Sequence, residues 1–158
     1  MKKRHGMSEV LSKTLYDEFP AIFAEKDLPM SETAMCWGIQ CDDGWFKIIR
    51  ELCLKLDMIS KASGVPIVAT TVKEKLGELR FYIRNVGADK TPEQKLWLCI
   101  AHDAISSAGW ISSHACELCG EMGDLMEKSD KRWLKTLCAK HAKSEGYVEI
   151  KDRDESAL

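Results

Sequence analysis

The chain has 158 residues, 45% of them hydrophobic and 30% charged, with a formal net charge of -2 shared evenly by its two halves. Such a length suits one compact core with a small appendage, burying roughly 70% of its unfolded surface without covalent staples. The composition excludes wholesale disorder, the near-neutrality excludes a generally basic nucleic-acid binder, and no stretch approaches the ~20 apolar residues of a membrane span.

Lys2, Arg4 and His5 form a basic start, but no apolar run follows, so no secretory leader is expected and the segment reads as a solvated terminus. Ser8 is placed to cap a helix carrying Val10, Leu11, Leu15 and Phe19, and Pro20 closes it. Ile22 and Phe23 extend its apolar face. Residues 26–43 keep no period and read as a long connection with one short strand. Asp42 or Asp43 then caps a helix starting near Gly44, with Trp45, Ile48, Ile49, Leu52, Leu56 and Ile59 at helical spacing and Gly64 as its stop.

From Val65 the pattern turns to strands. Leu79, Phe81 and Ile83 alternate with Arg80, Tyr82 and Arg84, and Ile67 to Lys73 is the expected antiparallel partner across a turn at residues 75–78. Thr91, Pro92 and Gln94 combine a cap, a first-position proline and a capping-box partner. They open a helix whose core face is Leu98, Ala101, Ile105 and Ala108, with Gly109 as its expected end. The texture then changes. Residues 1–110 are expected to form an α+β core, in which helices pack on a small antiparallel hairpin. Residues 111–150 form a metal-binding module and 151–158 a solvated tail.

The seven cysteines are an odd number, which argues against a closed disulfide framework. In a reducing cytoplasm, the expected location, clustered cysteines point to metal or redox chemistry. Cys116, Cys119, Cys138 and His141 make the pattern C-x2-C-x18-C-x2-H, which supplies three thiolates and one imidazole, the tetrahedral set of one structural zinc ion. Between the pairs, residues 123–127 and 133–137 flank a charged turn at Ser129, Asp130 and Lys131, as a hairpin would, and residues 139–145 read as a helix ending at Gly146. Knuckle, hairpin and helix make a treble clef; a zinc ribbon is the competing form. A redox CxxC fits less well, because such pairs open a helix, and here Gly120 and Gly123 follow.

Other groups carry weaker signals. Four residues separate Cys36 from Cys41, and Cys99 and His102 share one helix face, so a second metal site is conceivable. Buried small apolar cysteines are the commoner arrangement. Lys73, Lys75, Arg80, Tyr82 and Arg84 mix cations with an aromatic ring, as single-strand binders do, though Glu74 and Glu78 interrupt them. The metal segment is itself charge-balanced, which weakens the inference from zinc to DNA. His102 and Asp103 are helix neighbours about 100° apart and do not face each other.

Two blocks carry a resemblance. Residues Cys41 to Phe46 and Val72 to Tyr82, with Cys116 to Gly120 and Trp133 to His141, resemble a family of small phage, prophage and bacterial proteins. That family has a GDGW-type helix start, a VKEKFGGLRFY-type hairpin and a CxxCG…TLCxxH segment. The likeness spans about residues 36–142, and Leu76 and Glu78 stand where the pattern has Phe and Gly. It implies a phage association and no catalytic role. Leu137 to His141 is also similar to a knuckle of HNH nucleases. Those enzymes place a catalytic histidine between their knuckles, and none lies between Cys119 and Cys138. The expected function is therefore that of a non-enzymatic, zinc-stabilised protein that binds a macromolecule, such as a phage-encoded modulator of a host protein. A nucleic-acid-binding regulator is the alternative, and an enzyme comes third.

Overall fold

The computed structural model describes residues 6–84, 90–129 and 133–150, which form an α+β fold. The basic start and the tail at 151–158 lie outside the described residues, as do Asp130 and Lys131 of the charged turn. No described helix is long and apolar enough to cross a membrane.

Helix α1 spans Glu9–Glu18, and its Leu15 is fully buried. Ser8 occupies the cap position, yet its side chain makes no capping bond; its backbone N–H donates instead to Asp43 Oδ1 at 2.7 Å. Ile39–Gln40 form the short strand β1, which pairs in parallel with β2 (Ala69–Lys75). Strand β2 pairs antiparallel with β3 (Glu78–Ile83). The hairpin turn is the pair Leu76 and Gly77, both with positive φ (56° and 79°), the backbone sense that matches the twist of two adjoining strands.

Helix α2 (Phe46–Ser63) begins after a short 3-10 turn at Asp43–Trp45, two residues later than expected. Neither aspartate caps it, because both carboxylates are engaged elsewhere: Asp43 by Ser8 and Asp42 by Lys135 at 2.9 Å. Trp45, Ile49, Leu52, Leu56 and Ile59 are buried, and Gly64 ends the helix in the left-handed conformation. Helix α3 (Pro92–Ser112) opens with the full capping box between Thr91 and Gln94.

Gly109 does not end α3. It lies where the helix crosses β3: a Cβ there would come within 2.7 Å of Glu78 Oε1 and 3.3 Å of Leu79 O. The glycine serves close packing, and the helix runs on to Ser112. The Ser112 hydroxyl accepts from Leu79 N at 2.8 Å and donates to Gly109 O at 2.6 Å.

Beyond α3 the chain builds a second three-stranded sheet, in the order β5 (Leu134–Leu137), β4 (Asp124–Lys128), β6 (Tyr147–Glu149). The β4–β5 hairpin matches the pattern read from sequence, while β6 was not legible there. Helix α4 (Ala139–Glu145) joins β5 to β6 and stops at the left-handed Gly146. The apolar interior divides accordingly. One large cluster centres on Trp45, Phe23, Leu56 and Phe81; a small one joins Cys116, Met126, Leu137 and Ala142.

Candidate metal centre

The four sequence-predicted ligands come together from two elements. Cys116 and Cys119 sit on a knuckle directly after α3, closed by the bond from Gly120 N to Cys116 O at 2.8 Å. Cys138 occupies the cap position of α4, and His141 lies in its first turn. Nδ1 of His141 is 3.5 Å from Cys116 Sγ and 3.3 Å from Cys138 Sγ, and Cys119 Sγ is 3.9 Å from Cys138 Sγ. All four donor atoms lie within 4.8 Å of one another.

Those separations can be tested against a tetrahedron. With metal–sulfur bonds of about 2.3 Å and metal–nitrogen bonds of about 2.05 Å, the edges should be about 3.8 Å between sulfurs and about 3.6 Å between sulfur and nitrogen. The donor set fits one metal ion. The N–H of His141 ahead of the Cys138 sulfur, although short of ordinary capping geometry, holds that thiol below its usual range and favours the thiolate a metal requires.

The centre is fastened to the large core by contacts that the sequence did not announce. Gly44 N donates to Glu117 O at 2.8 Å, Asp42 N to Glu117 Oε1 at 3.1 Å, and Trp45 Nε1 to Ala115 O at 2.8 Å. A Cβ at Gly44 would meet Cys116 O, with Cys119 N and Glu117 O both at 2.6 Å, so the knuckle lies backbone-on-backbone against this residue. Lys135 on β5 bridges Glu117 Oε2 at 2.7 Å and Asp42 Oδ2 at 2.9 Å. Burial opposes the Lys135 charge, but the two carboxylates outweigh it and raise its pKa. Burial also raises Glu117. On the far side, Thr136 Oγ1 donates to Gly77 O at 2.6 Å, tying the module to the β2–β3 turn.

The remaining candidates do not converge. Among the described residues, the cluster above is the one group of three or more Cys, His, Asp or Glu that could hold a metal. Cys36, Cys41, Cys99 and His102 therefore form no second centre. Cys36 Sγ faces Thr33 O at 3.3 Å, Cys99 is exposed, and burial pushes the Cys41 thiol well up, which keeps it protonated. On the hairpin, Lys73 lies opposite Arg80 and Thr71 opposite Tyr82. Arg84 is gripped by Glu25 through two guanidinium nitrogens and also reaches Glu32 O, while Arg80 pairs with Glu78 at 3.1 Å. No family model, curated protein or solved structure matches the chain.

Proposed function

We propose that the chain is a non-enzymatic, zinc-stabilised cytoplasmic protein that acts by binding another macromolecule. The observation that carries this reading is the closed set of four protein donors at tetrahedral separations. Zinc is the divalent ion best matched to three thiolates and one imidazole, and Cys116, Cys119, Cys138 and His141 would hold it. Bound there, it supplies a cross-link between the knuckle and α4. With every tetrahedral position taken by protein, none is left for a reactive water, which favours a structural role. A knuckle, a hairpin and a helix bearing the second ligand pair support a treble clef over a ribbon.

The likeness to small phage and prophage proteins supports a modulator of a host protein, by analogy of context. The second reading, a nucleic-acid regulator, is favoured by the register that aligns Lys73, Arg80 and the half-exposed Tyr82 on one face. Against it, Arg84 and Arg80 already have carboxylate partners. Binding assays separate the two. A protein partner retained at high salt supports the first reading. The second is supported by nucleic-acid binding that weakens with salt and whose salt slope flattens by about one unit in each of Arg80→Ala and Lys73→Ala, one phosphate fewer being neutralised.

A further inference from the structure

We propose, resting on the four-ligand zinc reading above, that Cys119 and Cys138 are a peroxide-responsive pair, whose oxidation to a disulfide empties the metal centre and replaces its cross-link. The three cysteines of the centre differ in access. Cys119 is exposed and Cys138 half-buried, whereas Cys116 is fully buried. Metal ligation holds cysteines as thiolates, the form that reacts with peroxide, and exposure then selects among them. Cys119 is the accessible target. Its sulfur lies 3.9 Å from that of Cys138. A disulfide needs about 2.05 Å, so the pair must close by about 1.9 Å, which side-chain rotation supplies. The Cys116 sulfur belongs to the same cluster, but it faces Nδ1 of His141 at 3.5 Å. Its backbone is clamped on both sides, the N–H donating to Glu121 O at 2.7 Å and the C=O accepting from Gly120 N at 2.8 Å. Cys138 is therefore the partner that the geometry offers.

The reaction consumes one hydrogen peroxide. The Cys119 thiolate attacks one peroxide oxygen, the O–O bond breaks, and the departing hydroxide takes a proton from solvent. Cys119 is then a sulfenic acid. The Cys138 thiolate attacks that sulfur, the S–O bond breaks, and a second hydroxide leaves and is protonated. Each sulfur has given up one electron, each peroxide oxygen has gained one, and two waters result. With two of its four donors joined to each other, the site no longer binds zinc.

The new bridge spans the same two elements as the metal. Cys119 belongs to the knuckle, which the core holds independently: Glu117 O accepts from Gly44 N, and Ala115 O from Trp45 Nε1. Cys138 is the cap residue of α4. A Cys119–Cys138 bond closes a loop of eighteen intervening residues and keeps α4 on the knuckle. A Cys116–Cys119 bond would tie the knuckle to itself and leave α4 unanchored. Oxidation thus exchanges zinc for a disulfide without unfolding the module, which separates a reversible switch from damage.

The test treats the zinc-loaded double variant Cys36→Ser, Cys99→Ser with a molar excess of hydrogen peroxide. The two substitutions remove the thiols outside the centre that are not buried; Cys41 and Cys53 are buried. A zinc-binding dye should record one equivalent released for each disulfide formed, and peptide mass mapping should place that disulfide between Cys119 and Cys138. Dithiothreitol with added zinc should restore the reduced, loaded form. Amide exchange should find residues 139–145 protected in the oxidised, zinc-free chain and unprotected in a reduced, chelator-stripped one. Should the double variant fail to fold, the native chain takes its place and the same mapping resolves its disulfides. Retention of zinc with the cysteines still reduced, a Cys116–Cys119 bond as the main product, or Cys119 driven on to sulfinic acid would each overturn the proposal. So would equal protection of α4 in the oxidised and the stripped forms. Each of these leaves the zinc reading intact, because the metal is bound at the start; a folded, reduced chain that holds no zinc before peroxide would sink both.

Discussion

Gly44→Ala tests whether the metal centre and the core are held together by backbone contact. The substitution adds one methyl group and requires no new φ region, so its effect must come from space alone. The new Cβ would meet Cys116 O most closely and lie 2.6 Å from Cys119 N and Glu117 O, whereas ordinary contact begins at 3.4 Å, so the knuckle must retreat by at least about 0.8 Å. These atoms are backbone and cannot rotate away. Overpacking of this kind costs about 1–3 kcal/mol. The retreat also stretches the Gly44–Glu117 and Asp42–Glu117 bonds, each contributing about 1 kcal/mol. With each stretched bond keeping about half its contribution, a loss of roughly 2–4 kcal/mol follows, or a fall in Tm of about 5–15 °C. Cys116 and Cys119 move with the knuckle, so zinc affinity, measured by chelator competition, should fall as well. Gly64→Ala is the control. Its φ is +67° with nothing within 4 Å, so it should cost about 1 kcal/mol of backbone strain and leave the metal untouched. Equal stability and equal zinc affinity for Gly44→Ala and the native chain would refute the argument.

Three further outcomes are expected. Lys135→Met removes the cation between Glu117 and Asp42 and should cost about 3–5 kcal/mol in urea unfolding, with at least half recovered in the double variant Lys135→Met, Glu117→Leu. Cys138→Ser should melt the metal module beyond α3 while α1, α2, α3 and the β2–β3 hairpin persist, because the two apolar clusters are separate; limited proteolysis and tryptophan fluorescence would report this, and complete cooperative loss would show a single core. Glu25 is held below the ordinary carboxylate range, chiefly by its hydrogen bonds from Arg84. Its contribution is thus fully present above the unfolded pKa of about 4.3 and is lost as the pH falls through the lower folded value. Glu25→Gln should flatten the acid limb of the stability curve below about pH 4.

The clustering of the four candidate ligands was legible in the sequence because ligand chemistry fixes both residue type and short spacing: a knuckle needs two residues between its cysteines, and a helical turn needs two between Cys138 and His141. Periodicity revealed α2, the hairpin and α3 for the same local reason. What escaped were contacts between distant segments. Asp42 and Asp43 carry the local signature of caps, but tertiary partners claimed both side chains. Gly109 carries the signature of a stop, and only its crossing over Leu79 explains it. Glu117 lies between two candidate ligands with no local signal of burial, yet its side chain is 2% exposed because Lys135 and the Asp42 N–H reach it from elsewhere in the chain. Strand β6 is three residues long, too short for an alternating pattern to register.

The central claim is that four side chains close around one structural zinc, and the metal content of the purified chain tests it most directly. Protein prepared under reducing conditions without added metal, folded by circular dichroism, should contain close to one equivalent of zinc by elemental analysis, and Cys138→Ser should contain almost none. A folded, reduced native chain with no bound metal would contradict the account.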